Sequence, residues 1–263
     1  MQKKIGFIGC GNMGGAIITA LAKEYKNIIV SDKNKDKLLN FERRFNIQTT
    51  SDNLFLAHTS EVIILAVKPQ VMDNVLSEIK KHVKNKLIIS IAAGITMKHM
   101  EKILGDSLRI IRCMPNLGSM VGIGGTGYFM NENCTTLDKN TVEFIFEAAG
   151  VVVEAENENV ITAISVVGCK PGWIAKEMES EEKAMIQAGL NSEDYRKLTA
   201  NILRAVAEFI DRGADYDKLY KQVASPGGLT EAGHLYAEKI KFYEQIQERI
   251  RVALKKDVEL GSK

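Results

Sequence analysis

The sequence predicts an α/β fold, a doubly wound sheet in the first part of the chain followed by an all-helical second part. Three observations predict it. Short β-branched runs alternate with amphipathic helical patterns, as expected of a parallel sheet with helices on both faces. A glycine-rich turn joins the first apolar run to the first helical one. Beyond about residue 158 the β-branched alternation stops and helical periodicity takes over.

In chain order, KKIGFIG reads as a strand, GGAIITALAKEY as a helix, NIIVSD as a strand and KDKLLNFERRF as a helix. VIILAVK, LIISIAA and LRIIRCM are further strands, separated by the helical VMDNVLSEIKKHV and MKHMEKILG. GGTGYFM and GVVVEAE flank the helix LDKNTVEFIFEAAG and extend the sheet. VITAISVVG then leads through CKPG into WIAKEMESEEKAMIQAG, one long helical pattern kinked at Pro171. Ser192 caps the next helix, with Glu193 and Asp194 in its first turn and Gly213 after its last. A final helix is expected from about Thr230 to Val258, with a frayed tail, LGSK. The domain boundary falls between residues 157 and 158, giving a domain over 1–157 and a helical one over 158–263.

Acids and bases nearly cancel, leaving a formal charge of +2, so no general attraction to nucleic acid or to an anionic membrane is expected. No apolar run is long enough to span a bilayer, and the N-terminus enters a strand directly rather than reading as a signal peptide. Cys10, Cys113, Cys134 and Cys169 lack CxxC or zinc-ligand spacing, and the histidines are equally scattered. Free thiols, a reducing cytoplasmic setting and no metal site are the expectation.

IGFIGCGNMGGAI sets Gly9, Gly11 and Gly14 in a G-x-G-x-x-G array between a strand and a helix. The first glycine permits a tight turn, the second lets a pyrophosphate approach, and the third lets helix and strand pack closely. Phosphates then meet unpaired N–H groups at the positive end of a helix dipole. The domain is therefore Rossmann-like, and Gly9, Gly11, Asn12, Met13 and Gly14 are candidate cofactor residues. Asp32 lies 21 positions beyond Gly11, placed to hold a ribose diol or simply to cap the next helix. Ser31, Lys33 and Lys35 around it suit a 2′-phosphate, which favours NADPH, with NADH as the alternative. Ala66, Val67, Lys68 and Pro69 follow another strand at the end that borders a cofactor crevice, although Lys68 also reads as an ordinary surface lysine. Asn53 completes the candidate cofactor set.

SPGGLTEAG, residues 225–233, interrupts the helical half with a proline and two glycines where a simple connection needs neither. With IGFIGCGNMGGAI, AVKPQ and RCMPN ahead of it, the sequence resembles the pyrroline-5-carboxylate reductase family over essentially its whole length. The resemblance implies a Rossmann domain followed by a helical dimerisation domain. It implies homodimers, often joined into a higher ring of dimers, with each active site completed by the partner. The implied reaction reduces a cyclic imino acid, 1-pyrroline-5-carboxylate, to L-proline by hydride transfer from NAD(P)H. Thr230 is then the catalytic hydroxyl beside the imine nitrogen, or solely a helix cap. The backbone N–H groups of Gly228, Leu229 and Thr230 suit a carboxylate at a helix start, assisted by Ser225 and Gly227.

Two stretches depart from the family pattern. VVGCKPGW stands where the family carries Ser-Gly-Ser-Gly-Pro-Ala-Tyr, so that Val167 replaces serine and Lys170 replaces glycine; MPNLGS replaces Met-Pro-Asn-Thr-Pro-Ala. Lys170 either reaches the substrate or snorkels away along its helix. Glu179 is retained in the register where the family carries a helix glutamate, a position that also suits a simple interhelical partner. The alternatives are a reductase of a related cyclic imino acid and a non-catalytic NADP(H)-sensing regulator. A β-hydroxyacid dehydrogenase is a further alternative, with Lys170 or Lys176 as its acid/base, but neither has the G-x-x-x-K-x-x-N setting.

Overall fold

The computed structural model describes residues 2–261. They form two compact units. One runs to Cys169 and includes the C-terminal stretch from Ala253; the other is Lys170–Val252.

The first unit is built on a sheet of β1 (Ile5–Ile8), β2 (Ile28–Ser31), β3 (Gln48–Thr50), β4 (Val62–Leu65), β5 (Leu87–Ser90), β6 (Arg109–Met114), β7 (Gly124–Met130) and β8 (Gly150–Glu154). Their order is β3-β2-β1-β4-β5-β6-β7-β8. Between them run α1 (Asn12–Leu21), α2 (Lys35–Phe45), α3 (Asn53–Thr59), α4 (Pro69–Ile79), α5 (Met97–Leu104) and α6 (Thr136–Glu147), and α7 (Glu158–Val167) follows β8. Ile5 stands between Ile28 of β2 and Val62 of β4, which fixes the central register.

Successive side chains of each strand serve opposite faces. Val62 and Ile64 join a core with Ile17 of α1, Phe41 of α2 and Phe146 of α6. Ile63 and Leu65 join another with Leu56 of α3, Leu76 of α4 and Met100 of α5. Burial on both faces is why the central strands are unbroken apolar runs rather than alternating ones. Each such side chain contributes about 1.5–3 kcal/mol of transfer free energy.

The sequence pattern did not predict β3 and α3. The strand is three residues long, Gln-Thr-Thr, with no apolar run to mark it. It pairs only with β2, at the sheet edge. The extension of the sheet also turns direction, for β7 runs antiparallel to β6 and β8 parallel to β7. The link from β6 to β7 is short and largely a 3-10 turn (Leu117–Val121), too little chain for a parallel crossover. The α6 helix supplies that crossover between β7 and β8.

An ion pair ties α7 to the sheet. Arg112 of β6 is 4% exposed and donates to Glu158 Oε1 at 2.5 Å, the same oxygen that accepts the Met97 N–H at 2.7 Å. A single carboxylate thus joins β6 and the starts of α5 and α7.

The second unit contains α8 (Lys170–Gln187), α9 (Ser192–Asp211), α10 (Tyr216–Val223), α11 (Leu229–Lys239) and most of α12 (Phe242–Gly261). The expected kink at Pro171 is instead a break: α7 ends at Val167, and Pro171 is the second residue of α8, where its missing N–H has no helical partner to lose. Asn191, not Ser192, caps α9, accepting the Asp194 N–H at 2.9 Å. The expected final helix is divided between α11 and α12 by Lys241, at φ 55°. Of the tail, Ser262 and Lys263 lie outside the described residues.

Packing within this unit is sparse. Tyr195 is the one buried side chain among its described residues, and its hydroxyl bonds to Glu181 Oε2 at 3.0 Å. The Arg249 guanidinium lies 4.6 Å from the Trp173 ring centre and pairs with Glu177 at 2.6 Å, joining α12 to α8. Along α9, Leu198, Ile202, Val206, Phe209 and Ile210 are exposed at helical spacing. An apolar stripe of this length leaves the unit without a sufficient core of its own.

Candidate active site

The strand order reverses beside β1, and there the glycine turn packs against the chain leaving β4. Gly9 has φ 97°, and a Cβ on it would stand 2.7 Å from the Ala66 carbonyl oxygen. Gly14 is equally confined, since a Cβ there would lie 2.8 Å from Ala66 Cβ. Gly11 is different. A Cβ there meets nothing within 4 Å. Gly11 is also the N-cap of α1, with no side-chain acceptor and no acid in the first turn. Asn12 and Met13 open the helix. A helix start left bare in this way, facing open space, fits an anionic phosphate.

Asp32 at the end of β2 holds this turn in place. Its Oδ2 accepts the Cys10 N–H at 2.8 Å and the Cys10 thiol at 3.2 Å, and its Oδ1 accepts the Asn34 N–H at 2.9 Å. Burial acts to raise the carboxyl pKa, but these hydrogen bonds and the Lys37 charge outweigh it and leave the pKa lowered. Burial, then the bond and charge of Asp32, push the Cys10 thiol up to about 12, which makes it an unreactive side chain. The helix-capping reading of Asp32 is corrected, for the α2 cap is Asn34, accepting the Lys37 N–H at 3.1 Å. Ser31 is 1% exposed and donates to Asn53 Oδ1 at 2.7 Å, while the Asn53 amide donates to Glu78 at 2.9 Å.

A cleft of about 510 Å³ opens from Gly11 and Asn12 to Asn34, the cap of α2, and to Lys37, Phe41 and Arg44 along that helix. The last four were not among the expected site residues. Their signal was available, because Lys37, Phe41 and Arg44 recur at i, i+4 and i+7 and share one helix face. Which face looks onto the cleft depends on how α2 packs against α1.

At the next loop Ala66 bonds back to β1, its N–H donating to the Ile8 carbonyl at 2.9 Å. Val67 lies against Gly9. Lys68 is the N-cap of α4, with no side-chain cap, and Pro69 takes the first helical position. At the third loop the Asn116 side chain accepts the Gly118 N–H at 3.0 Å. A Cβ on Gly168 would lie 3.4 Å from Asn116 Cβ, so the divergent GCKPGW stretch starts against this loop.

The substrate-side candidates all lie in the second unit, where Lys170 is the exposed first residue of α8. In the SPGG turn, Gly227 adopts φ 72°, and Gly228 is the N-cap of α11. A Cβ on Gly228 would stand 2.9 Å from the Ser225 carbonyl oxygen, so the turn closes only with glycine there. Two expectations are corrected. Thr230 is not the cap but the second helical residue. The Gly228 N–H is not free, since it donates to the Ser225 carbonyl at 2.9 Å. The first-turn N–H groups of Leu229 and Thr230 remain without a side-chain cap. Glu179 is an intrahelical partner rather than an interhelical one; hydrogen bonds from Lys176 and Lys183, then their charges, pull it down to about 2. Among the described residues, no group of three or more His, Cys, Asp or Glu could hold a metal ion.

A doubly wound sheet with a bare helix start at its reversal point, followed by a helical unit with a glycine-opened helix start, defines a two-domain oxidoreductase. Residues 4–94 match the family model described as NADP oxidoreductase, coenzyme F420-dependent, and residues 157–260 match that of pyrroline-5-carboxylate reductase dimerisation. The chain is 34% identical to a pyrroline-5-carboxylate reductase of Synechocystis sp., with 100% of both chains covered. It superposes on the solved pyrroline-5-carboxylate reductase of Coxiella burnetii with a TM-score of 0.92 at 33% identity, over 99% of each chain. The Plasmodium falciparum pyrroline carboxylate reductase, solved with NADP bound, gives 0.89 at 28% identity, over 99% of this chain and 98% of that one. The chain belongs to the pyrroline-5-carboxylate reductase family.

Proposed function

We propose that this chain reduces 1-pyrroline-5-carboxylate to L-proline with NADPH as the preferred reductant. The observation that carries the reading is the pair of uncapped helix starts, α1 behind Gly11 and α11 behind Gly228, one suited to phosphates and one to a carboxylate. The nicotinamide, when bound, supplies a hydride for the imine carbon. Gly11, Asn12 and Met13 hold the phosphates at the start of α1, and Ala66, Val67, Lys68 and Pro69 border the same crevice. Ser225, Gly227, Gly228 and Leu229 shape the carboxylate site, and the Thr230 hydroxyl hydrogen-bonds the imine nitrogen or the water that protonates it. Most of the rate then comes from positioning, which rigid helix starts provide.

The preference for NADPH rests on Lys37 and Arg44, which line the cleft and suit a 2′-phosphate, while the Asp32 oxygens are engaged by Cys10 and Asn34. The exposed stripe on α9 supports a homodimer joined through the helical units, with a ring of dimers as the larger assembly. Four free cysteines support a reducing, cytoplasmic setting. No helix among the described residues is long and apolar enough to cross a membrane.

Purified protein mixed with 1-pyrroline-5-carboxylate and NADPH should oxidise the nicotinamide, read by absorbance, and form proline, with a higher kcat/KM than with NADH. No oxidation with that imine or its six-membered homologue overturns the reading. Lys170→Gly restores the family residue and should change the ratio of kcat/KM between the two imines by roughly tenfold, the discrimination one contact group commonly supplies. An unaltered ratio removes Lys170 from the pocket.

A further inference from the structure

The SPGG turn already carries a carboxylate of its own. Glu231, the third residue of α11, folds back so that its Oε2 accepts the Gly227 N–H at 2.6 Å. We propose that Glu231 is a specificity-determining residue, which sets how tightly the turn holds the carboxylate of an imino-acid substrate. The inference rests on the function proposed above.

Of the turn's N–H groups, Gly227 is bonded to Glu231 and Gly228 to the Ser225 carbonyl. An incoming carboxylate is left the first-turn N–H groups of Leu229 and Thr230. It must bind there within one helical turn of an acid already on the same dipole. The helix end attracts both anions, but the anions repel each other. Glu231 therefore raises the KM for an anionic imine while it steadies the left-handed Gly227 that shapes the turn. A helix-capping role alone would also place an acid at this position, as in a capping box. Such a role affects every substrate alike, whereas repulsion weakens the binding only of those that carry a carboxylate.

Glu231→Gln separates the two. Glutamine keeps an oxygen able to accept the Gly227 N–H and removes the charge. The expected result is a KM for 1-pyrroline-5-carboxylate lowered roughly three- to tenfold, allowing for solvent screening of a partly exposed pair. The kcat should stay within about twofold, and the KM for 1-pyrroline, which lacks the carboxylate, should not fall. Glu231→Asp, which keeps the charge, should retain the high KM. The inference is overturned if the glutamine variant leaves the anionic KM unchanged or raised, or if both imines shift together. Wild-type protein that reduces neither imine overturns the function and this inference together; wild-type turnover with an unmoved KM overturns this inference alone.

Discussion

Thr230→Ala lowers kcat roughly a hundredfold and leaves NADPH affinity within about twofold, the expected size for losing one hydrogen bond made to developing charge or to a proton in flight. Thr230 is exposed at the second position of α11, and the N-cap duty falls on Gly228. Its hydroxyl is therefore not needed to start the helix, and alanine is a good residue at that position. The candidate phosphate-binding residues, from Gly9 to Pro69, all belong to the other compact unit, which is why cofactor affinity should be spared. Thr230→Ser should restore most of the rate because it returns the hydroxyl. Steady-state kinetics with both variants, alongside a fluorescence titration with NADPH, tests the assignment. A kcat for the alanine variant equal to that of the wild type removes Thr230 from the chemistry.

Gly9→Ala and Gly11→Ala should fail in different ways. Gly9 sits at φ 97°, and its added Cβ would press on the Ala66 carbonyl oxygen at 2.7 Å. Left-handed strain of about 1–2 kcal/mol and overpacking of about 1–3 kcal/mol add to roughly 2–5 kcal/mol of lost stability. The neighbouring Cys10 N–H would also be pulled from Asp32, so cofactor binding should fall with stability. At Gly11 an added Cβ touches nothing within 4 Å. Gly11→Ala should lose no more than about 1 kcal/mol of stability, the cost of alanine at a helix cap, yet bind NADPH more than about tenfold more weakly, because its methyl enters the space the phosphates need. Equal loss of stability in both variants would contradict the separate roles of the two glycines, and unchanged NADPH affinity in Gly11→Ala would move the phosphate site elsewhere.

The parallel part of the sheet was readable because residues such as Ile63 and Ile64 are buried on opposite faces and leave a continuous apolar run. The edge strand Gln48–Thr50 was not, because an exposed polar strand has no such run and is defined by its neighbour. The direction of β7 depended on the short link through Leu117–Val121, which rules out a crossover only once β6 and β7 are known to pair. The single helix expected from Thr230 onward failed at Lys241, whose positive φ is rare for lysine and has no local sequence signal.

The order of sheet and helices, the place of the phosphate turn and the family are all legible in the chain's residues alone. Those depend on periodicity and on glycine, whose effects are local and repeat wherever the pattern occurs. The partners of the polar groups, by contrast, follow from the packed fold. The position of Asp32 in the chain suits a ribose ligand or a helix cap equally, and in the fold its oxygens are held by Cys10 and Asn34. In sequence Glu231 is an ordinary helix residue; in the fold its carboxylate accepts the Gly227 N–H. A hydrogen bond requires two groups to meet within about 3 Å, and that meeting is set by how the chain packs rather than by either residue alone.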